Sequence, residues 1–202
     1  MIELNNLCRN FKFNQVLKGI TYSFPDHGFY LLTGDNGCGK TTLLYILGGF
    51  DSLYTGECLL DHQELKSLSY RKKSAIRKQS IGYVFSKGNL FSFLNAEENL
   101  NFGLDQKIKN PTAAKDNQDI RTLSGGEEMI LSLTNEFEKK KKVYLLDEVT
   151  SSLDSDHVKE ILSLIKKSAE ESLIIMATHD ERVFAEGSIL EISDGRIKEV
   201  NK

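Results

Sequence analysis

The sequence predicts an α/β fold whose parallel sheet is covered on both faces. Three observations carry that expectation. Val143–Leu146 and Leu173–Ala177 are apolar at every position, the pattern of strands buried on both sides rather than of strands with one wet face. Amphipathic helical periodicity fills Asp156–Ala169, between them. A third apolar run, Phe29–Thr33, leads into a glycine-rich segment that opens a helix. Length and composition agree: 202 residues with 40% hydrophobic content suit a single domain, 1–202, with one substantial core.

The elements follow in order. Ile2–Cys8, Val16–Phe24 and Phe29–Thr33 are rich in aliphatic and aromatic residues and read as strands. Residues 40–48 read as a helix that stops at Gly48-Gly49. Glu57–Leu60 and Ile81–Phe85 read as two more strands. The basic stretch 66–79 is moderately helical and reads as a solvated face rather than an anion site. Residues 103–122 are polar, contain Pro111 and read as a loop or connector. Glu127–Lys140 reads as a helix running into four lysines (139–142), cations that offset the dipole at a helix C-terminus. Ile189–Ser193 and Ile197–Val200 form a hairpin across Asp194-Gly195.

Bulk properties narrow the function. Twenty-six basic against 29 acidic residues give a net charge of −3, which argues against a polyanion binder driven by charge alone. No apolar run reaches the roughly 18–20 residues needed to cross a bilayer. The first residues, MIELNNLCRNFKF, lack the basic start and apolar stretch of a secretory signal. Cys8, Cys38 and Cys58 match no zinc spacing and read as reduced thiols. A soluble, cytosolic protein is expected.

The segment Gly34-Asp35-Asn36-Gly37-Cys38-Gly39-Lys40-Thr41-Thr42 fits G-x-x-x-x-G-K-[ST] between a strand and a helix. Its glycines let successive N–H groups turn inward on a phosphate, and the helix N-terminus adds a positive dipole end. Lys40 would reach the β- and γ-phosphates of a nucleotide, and the Thr41 hydroxyl would ligate magnesium. Cys38 reads as a small residue facing out of the loop rather than as a redox group. Val143-Tyr144-Leu145-Leu146 ends in Asp147-Glu148. Beside a phosphate loop, Asp147 would hold the magnesium through water, and Glu148 would polarise the attacking water as general base.

Leu123-Ser124-Gly125-Gly126-Glu127 stands between the phosphate loop and the acidic strand, ahead of a helix. In that order it resembles the signature sequence of the ABC ATPases, and the resemblance covers essentially the whole chain. Thr150-Ser151-Ser152-Leu153-Asp154 resembles the family's loop after the acidic strand, and Thr178-His179-Asp180 its switch histidine. Phe11 sits where the family has an aromatic stacked on adenine, with Phe13 as runner-up. The stretches LLYILGGFDSLYTGECLLDHQELKSLS and IRKQSIGYVFSKGNLFSFLNAEENL are similar to ATPase subunits of lipoprotein-release and macrolide- or peptide-exporter systems.

The resemblance implies a P-loop NTPase fold: a parallel core sheet flanked by helices, an N-terminal antiparallel β subdomain, and a helical arm inserted at about 87–140. It implies ATP and Mg2+ as cofactors, with Glu148, His179 and Lys40 catalytic, and no direct nucleic-acid partner. It also implies a second ATPase chain, with ATP between the phosphate loop of one chain and the signature of the other. The signature's Ser124 would offer its hydroxyl and helix start, and its two glycines would let backbone N–H groups approach the γ-phosphate. The permease would be a separate membrane chain, leaving this one peripheral on the cytoplasmic face.

Four departures stand out. Ser86 replaces the family's glutamine, which ordinarily ligates magnesium and reports the γ-phosphate. Val149 replaces a proline after the catalytic glutamate. Ile130 takes an arginine position in the helix after the signature. The arm is shortened, with Asn95–Phe102 as its main remaining helix. The leading expectation is the ATPase subunit of an exporter of a peptide, antimicrobial or lipidated cargo. The alternatives are a regulatory ABC ATPase signalling through a permease-like partner, and a non-transport ATPase acting on nucleic acid.

Overall fold

The computed structural model describes residues 1–12 and 14–200, so Phe13 lies outside the described residues. The chain begins with β1 (Ile2–Phe11), β2 (Asn14–Phe24), β3 (Gly28–Thr33) and α1 (Lys40–Leu47). Next come β4 (Tyr54–Leu60), β5 (Gln63–Glu64), α2 (Tyr70–Ser80), β6 (Ile81–Val84) and α3 (Ala96–Leu100). It continues through α4 (Gly125–Glu138), β7 (Val143–Asp147), α5 (Ser155–Ala169), β8 (Leu173–Ala177), β9 (Ser188–Ser193) and β10 (Arg196–Val200).

Two sheets result. One is antiparallel, in the order β2-β1-β4-β5. The other runs β10-β9-β3-β8-β7-β6, with β6, β7, β8, β3 and β9 parallel and β10 folded back on β9 as the expected hairpin. Alternate residues of the parallel strands feed two cores, because successive side chains leave opposite faces. Leu32, Leu145 and Ile175 point to a core shared with α1 and the antiparallel sheet. Leu31, Leu146, Ile174 and Met176 point to a core shared with α4 and α5. Full burial on both sides is therefore why β7 and β8 carry no polar alternation.

Several expectations are corrected. The strand expected at Glu57–Leu60 begins at Tyr54, where Arg9 and Tyr54 already pair across β1 and β4. The basic helix starts at Tyr70, capped by Ser69, and buries none of its residues. Of the helix expected at Asn95–Phe102, Ala96–Leu100 is helical, closed by a capping box between Asn95 and Glu98. The lysine run does more than face a helix end. Lys139 and Lys141 both hold the Glu136 carboxylate at 2.8 and 2.9 Å, and Lys141 also donates to the Ile81 carbonyl. Lys142 pairs with Asp61 of the turn between β4 and β5 at 2.6 Å. The run thus stitches α4 to β6 and to the antiparallel sheet. All three cysteines are free. Among the described residues no helix is long and apolar enough to cross a membrane.

Candidate functional site

The loop between β3 and α1 sits at the carboxyl ends of the parallel strands, where open α/β sheets bind ligands. Gly34 leaves β3 at φ 128°, and a side chain there would run into the Ile192 carbonyl and Cys38 Sγ. Only glycine fits that turn. Cys38 packs against the core rather than facing out, a correction forced by the same tight turn. Asp35, Asn36 and Gly37 are exposed, and Gly39 is the N-cap of α1 at φ 113°. Lys40 is buried, and its Nζ donates to the Gly34 carbonyl at 2.7 Å and the Asp35 carbonyl at 3.2 Å. The ammonium therefore lies in the mouth of the loop, held by its own backbone.

Thr41 and the end of β7 meet across the sheet, where the Thr41 hydroxyl donates to Asp147 Oδ1 at 3.1 Å. Burial pushes the Asp147 carboxyl above the usual carboxylate range, while hydrogen bonds from Thr41 and Tyr83 hold against that rise. Glu148 follows in the left-handed region at φ 56°, its amide donating to the Ala177 carbonyl of β8. Its carboxylate accepts from the Ser151 hydroxyl at 2.7 Å and lies 3.0 Å from His179 Nδ1. The ends of β7 and β8 thus bring Asp147, Glu148 and His179 to one place. Phe11, the loop from Asn36 to Thr42 and Glu148 line a single open cleft of about 420 Å³. The Arg9 guanidinium covers one face of the Phe11 ring at 4.0 Å from its centroid.

The signature lies elsewhere. Ser124 caps α4 and forms a reciprocal box with Glu127, whose carboxylate accepts from the Ser124 amide and hydroxyl, both at 2.9 Å. Those two bonds hold the Glu127 carboxyl below the usual range. Ser124 and Glu127 border a groove with His157 of α5 and do not line the cleft. A side chain on Gly125 would meet only an ordinary contact with Leu153, whereas one on Gly126 would collide with the His157 ring. Gly126 is therefore needed for the packing of α4 on α5, a role beyond the expected approach to phosphate. Leu123 is half-buried against the cluster of Ala96, Leu100 and Leu131. Ile130, in the arginine position, is buried in the core of α4 and α5, and so is Val149.

Ser86, the expected but weaker metal ligand after β6, stands apart from the Thr41–Asp147 pair. It lies exposed beyond β6, and among the described residues no hydrogen bond joins it to Thr41 or Asp147. The side chain from β6 that reaches Asp147 is Tyr83, at 3.3 Å from Oδ2. Sequence reasoning also passed over His157 and Arg182, and took Ser151 only as part of the loop after the acidic strand. Arg182 grips Asp180 and donates to the Leu153 and Thr150 carbonyls, clamping the loop after Glu148 to the loop after His179. Ser151 and the spacing of Asp154 to His157 were visible signals. Tyr83 and Arg182 act across the fold and left none.

Comparison with known proteins agrees with this geometry. The sequence profile of the family described as ABC transporter matches residues 17–151. The macrolide export ATP-binding/permease protein MacB of Campylobacter jejuni is 31% identical over 98% of this chain, which spans 33% of that relative's length. The ATP-binding protein HrtA of Staphylococcus haemolyticus, whose name assigns it to hemin import, is 33% identical over 91% of each chain. The ATP-binding cassette MJ0796, solved as a dimer in a post-hydrolysis state with ADP and Pi, superposes with a TM-score of 0.85 at 26% identity, covering 100% of this chain and 98% of that one. The cbiO1 protein of Clostridium perfringens, part of the ABC transporter complex cbiONQ, gives 0.83 at 25% identity, covering 98% and 86%.

Proposed function

The chain belongs to the ABC transporter family, and on that premise we propose that it binds and hydrolyses ATP to drive a membrane permease carried on another chain. The observation that carries this reading is the single cleft that gathers Phe11, the phosphate loop and Glu148. A nucleotide laid along it has an aromatic at one end, backbone N–H groups and an ammonium at its centre, and a carboxylate at the far end. Lys40 exchanges its loop carbonyls for phosphate oxygens, replacing ammonium–carbonyl contacts with contacts between opposite charges. Glu148 polarises the attacking water and takes up its proton, with its orientation fixed by Ser151 and His179.

The donor set at the end of β7 fits magnesium: one hydroxyl and one carboxylate, both hard oxygen ligands, already side by side. Thr41 and Asp147 would hold the ion, which supplies charge neutralisation on the phosphate oxygens. The signature, outside this cleft, serves the nucleotide of a second copy of the chain. Closure of two copies excludes water, and hydrolysis reopens them. In this reading the chain lies on the cytoplasmic face of the membrane.

The cargo class follows from the subgroup likeness: a peptide, an antimicrobial or a lipidated molecule, moved outward. The name of MacB supports export, whereas that of HrtA points inward, so direction belongs to the proposal. A second reading, a regulatory ATPase signalling through a permease-like partner, draws on Ser86 and the short arm. The test is capture of the Glu148→Gln variant with ATP from detergent-solubilised native membranes. That variant loses hydrolysis by about a hundredfold or more, the share of a general base, while retaining ATP. Recovery of a multi-spanning permease is expected; recovery of soluble nucleoprotein alone overturns the transport reading.

A further inference from the structure

Asp147 is held at both oxygens. Thr41 donates to Oδ1 at 3.1 Å, and the Tyr83 hydroxyl lies 3.3 Å from Oδ2. Tyr83 is only 7% exposed, so its hydroxyl has to find a partner within the fold, and a phenol beside a carboxylate donates. Its ring is also the hub of an aromatic cluster. The rings of Tyr45, Phe50 and Phe85 lie 5.8, 5.5 and 4.5 Å from it, centroid to centroid. All three of those rings reach the surface, at 39, 50 and 42% exposure. Tyr83 thus touches both the surface cluster and the carboxylate at the phosphate loop. Ser86, three residues on, makes no such connection.

We propose that Tyr83 is a positioning residue for Asp147: its hydroxyl fixes the rotation of the carboxylate, and its ring ties that rotation to the exposed cluster of Tyr45, Phe50 and Phe85. The inference rests on reading Thr41 and Asp147 as the metal-holding pair. A carboxylate anchored at one oxygen alone turns about its Cβ–Cγ bond and must be reoriented each time it is used. Anchored at both, it presents its free lone pairs in one direction. Displacement of the Phe85 or Phe50 ring moves the Tyr83 ring in contact with it, and the hydroxyl with it.

The test uses the full chain and a readout other than turnover. Mn2+ is titrated against the protein with saturating ADP, and free Mn2+ is read by electron paramagnetic resonance. ADP affinity in chelator is measured in parallel, with thermal unfolding as the check on folding. Tyr83→Phe keeps the ring and removes the hydroxyl. Its apparent Mn2+ affinity is expected to fall about tenfold, the scale of a lost outer-shell partner, with metal-free ADP affinity unchanged. Phe85→Leu keeps the hydroxyl and is expected to weaken Mn2+ by roughly threefold. Phe93→Leu, outside the cluster, is expected to leave it unchanged. A Tyr83→Phe chain that binds Mn2+ as the parent does overturns the proposal. So does equal loss of metal-dependent and metal-free binding, which marks a packing role only. A parent chain that binds ADP but shows no ADP-dependent Mn2+ binding overturns the magnesium reading as well.

Discussion

The nucleotide cleft and the signature region are built on opposite terms. Around the cleft, polar groups are bound by distant parts of the chain as well as by neighbours such as Ser151: Thr41 to Asp147, Glu148 to His179, and Arg182 to the Leu153 and Thr150 carbonyls beyond β7. The signature is bound by its own neighbours, with Ser124 and Glu127 capping each other over one turn. The tightest tertiary constraint found at the cap among the described residues is the His157 ring against Gly126. One region is fixed by the fold and is ready for a ligand. The other is a preformed helix end with nothing of its own chain to grip. On the proposed reading, the difference teaches that a single chain carries two half-sites that do not meet.

The largest expected effect separates the two halves. Lys40→Ala damages the cleft and Ser124→Arg the signature, and each alone is expected to abolish hydrolysis. A mixture is expected to recover part of it, because a mixed dimer contains one undamaged site. Phosphate release from the mixture is the measurement, and absence of recovery would break the comparison. Next in size, Gly126→Ala drives a methyl group into His157 and is expected to cost about 1–3 kcal/mol in urea unfolding, as overpacking does. His157→Ala in the same chain should restore most of it.

A smaller effect probes the cleft alone. Ser86→Gln is expected to raise hydrolysis at limiting magnesium, since a longer amide reaches where a serine does not; unchanged kinetics would count against it. The smallest concerns acid stability. Arg182 holds the Asp180 carboxyl below its ordinary value. That pairing stabilises the fold above the unfolded value of about 4, and its contribution is lost as pH falls through the lower folded value. Arg182→Ala is therefore expected to flatten that part of the acid limb in a thermal melt series, on top of a pH-independent loss from its bonds to the Leu153 and Thr150 carbonyls.

Legibility in the sequence tracks the same division. The parallel strands, phosphate loop, acidic strand end and signature cap are local patterns, and each stands where the residues predict it. What escaped depends on partners far along the chain. Cys38 turns inward because the loop closes tightly on Gly34. The lysines at 139–142 find Glu136, Ile81 and Asp61 rather than a helix end alone. Tyr83 looked like an ordinary strand residue, and its contact with Asp147 arises from the pairing of β6 with β7. Ser86 was singled out by comparison with a family pattern, yet the neighbouring tyrosine makes the contact.

The pairing of β3 carries a consequence for how the molecule is made. The strand that leads into the phosphate loop has β8 and β9 as its neighbours, through pairs such as Phe29 with Ile174 and Leu32 with Leu190. β1 and β2, by contrast, pair directly in sequence. During synthesis the first hairpin closes early, while β3 waits with both edges open until residues 173–193 emerge. Such non-local closure is slow, and an apolar strand with open edges is a template for aggregation. The turn into the phosphate loop is part of that late closure, since Gly34 packs against the Ile192 carbonyl of β9.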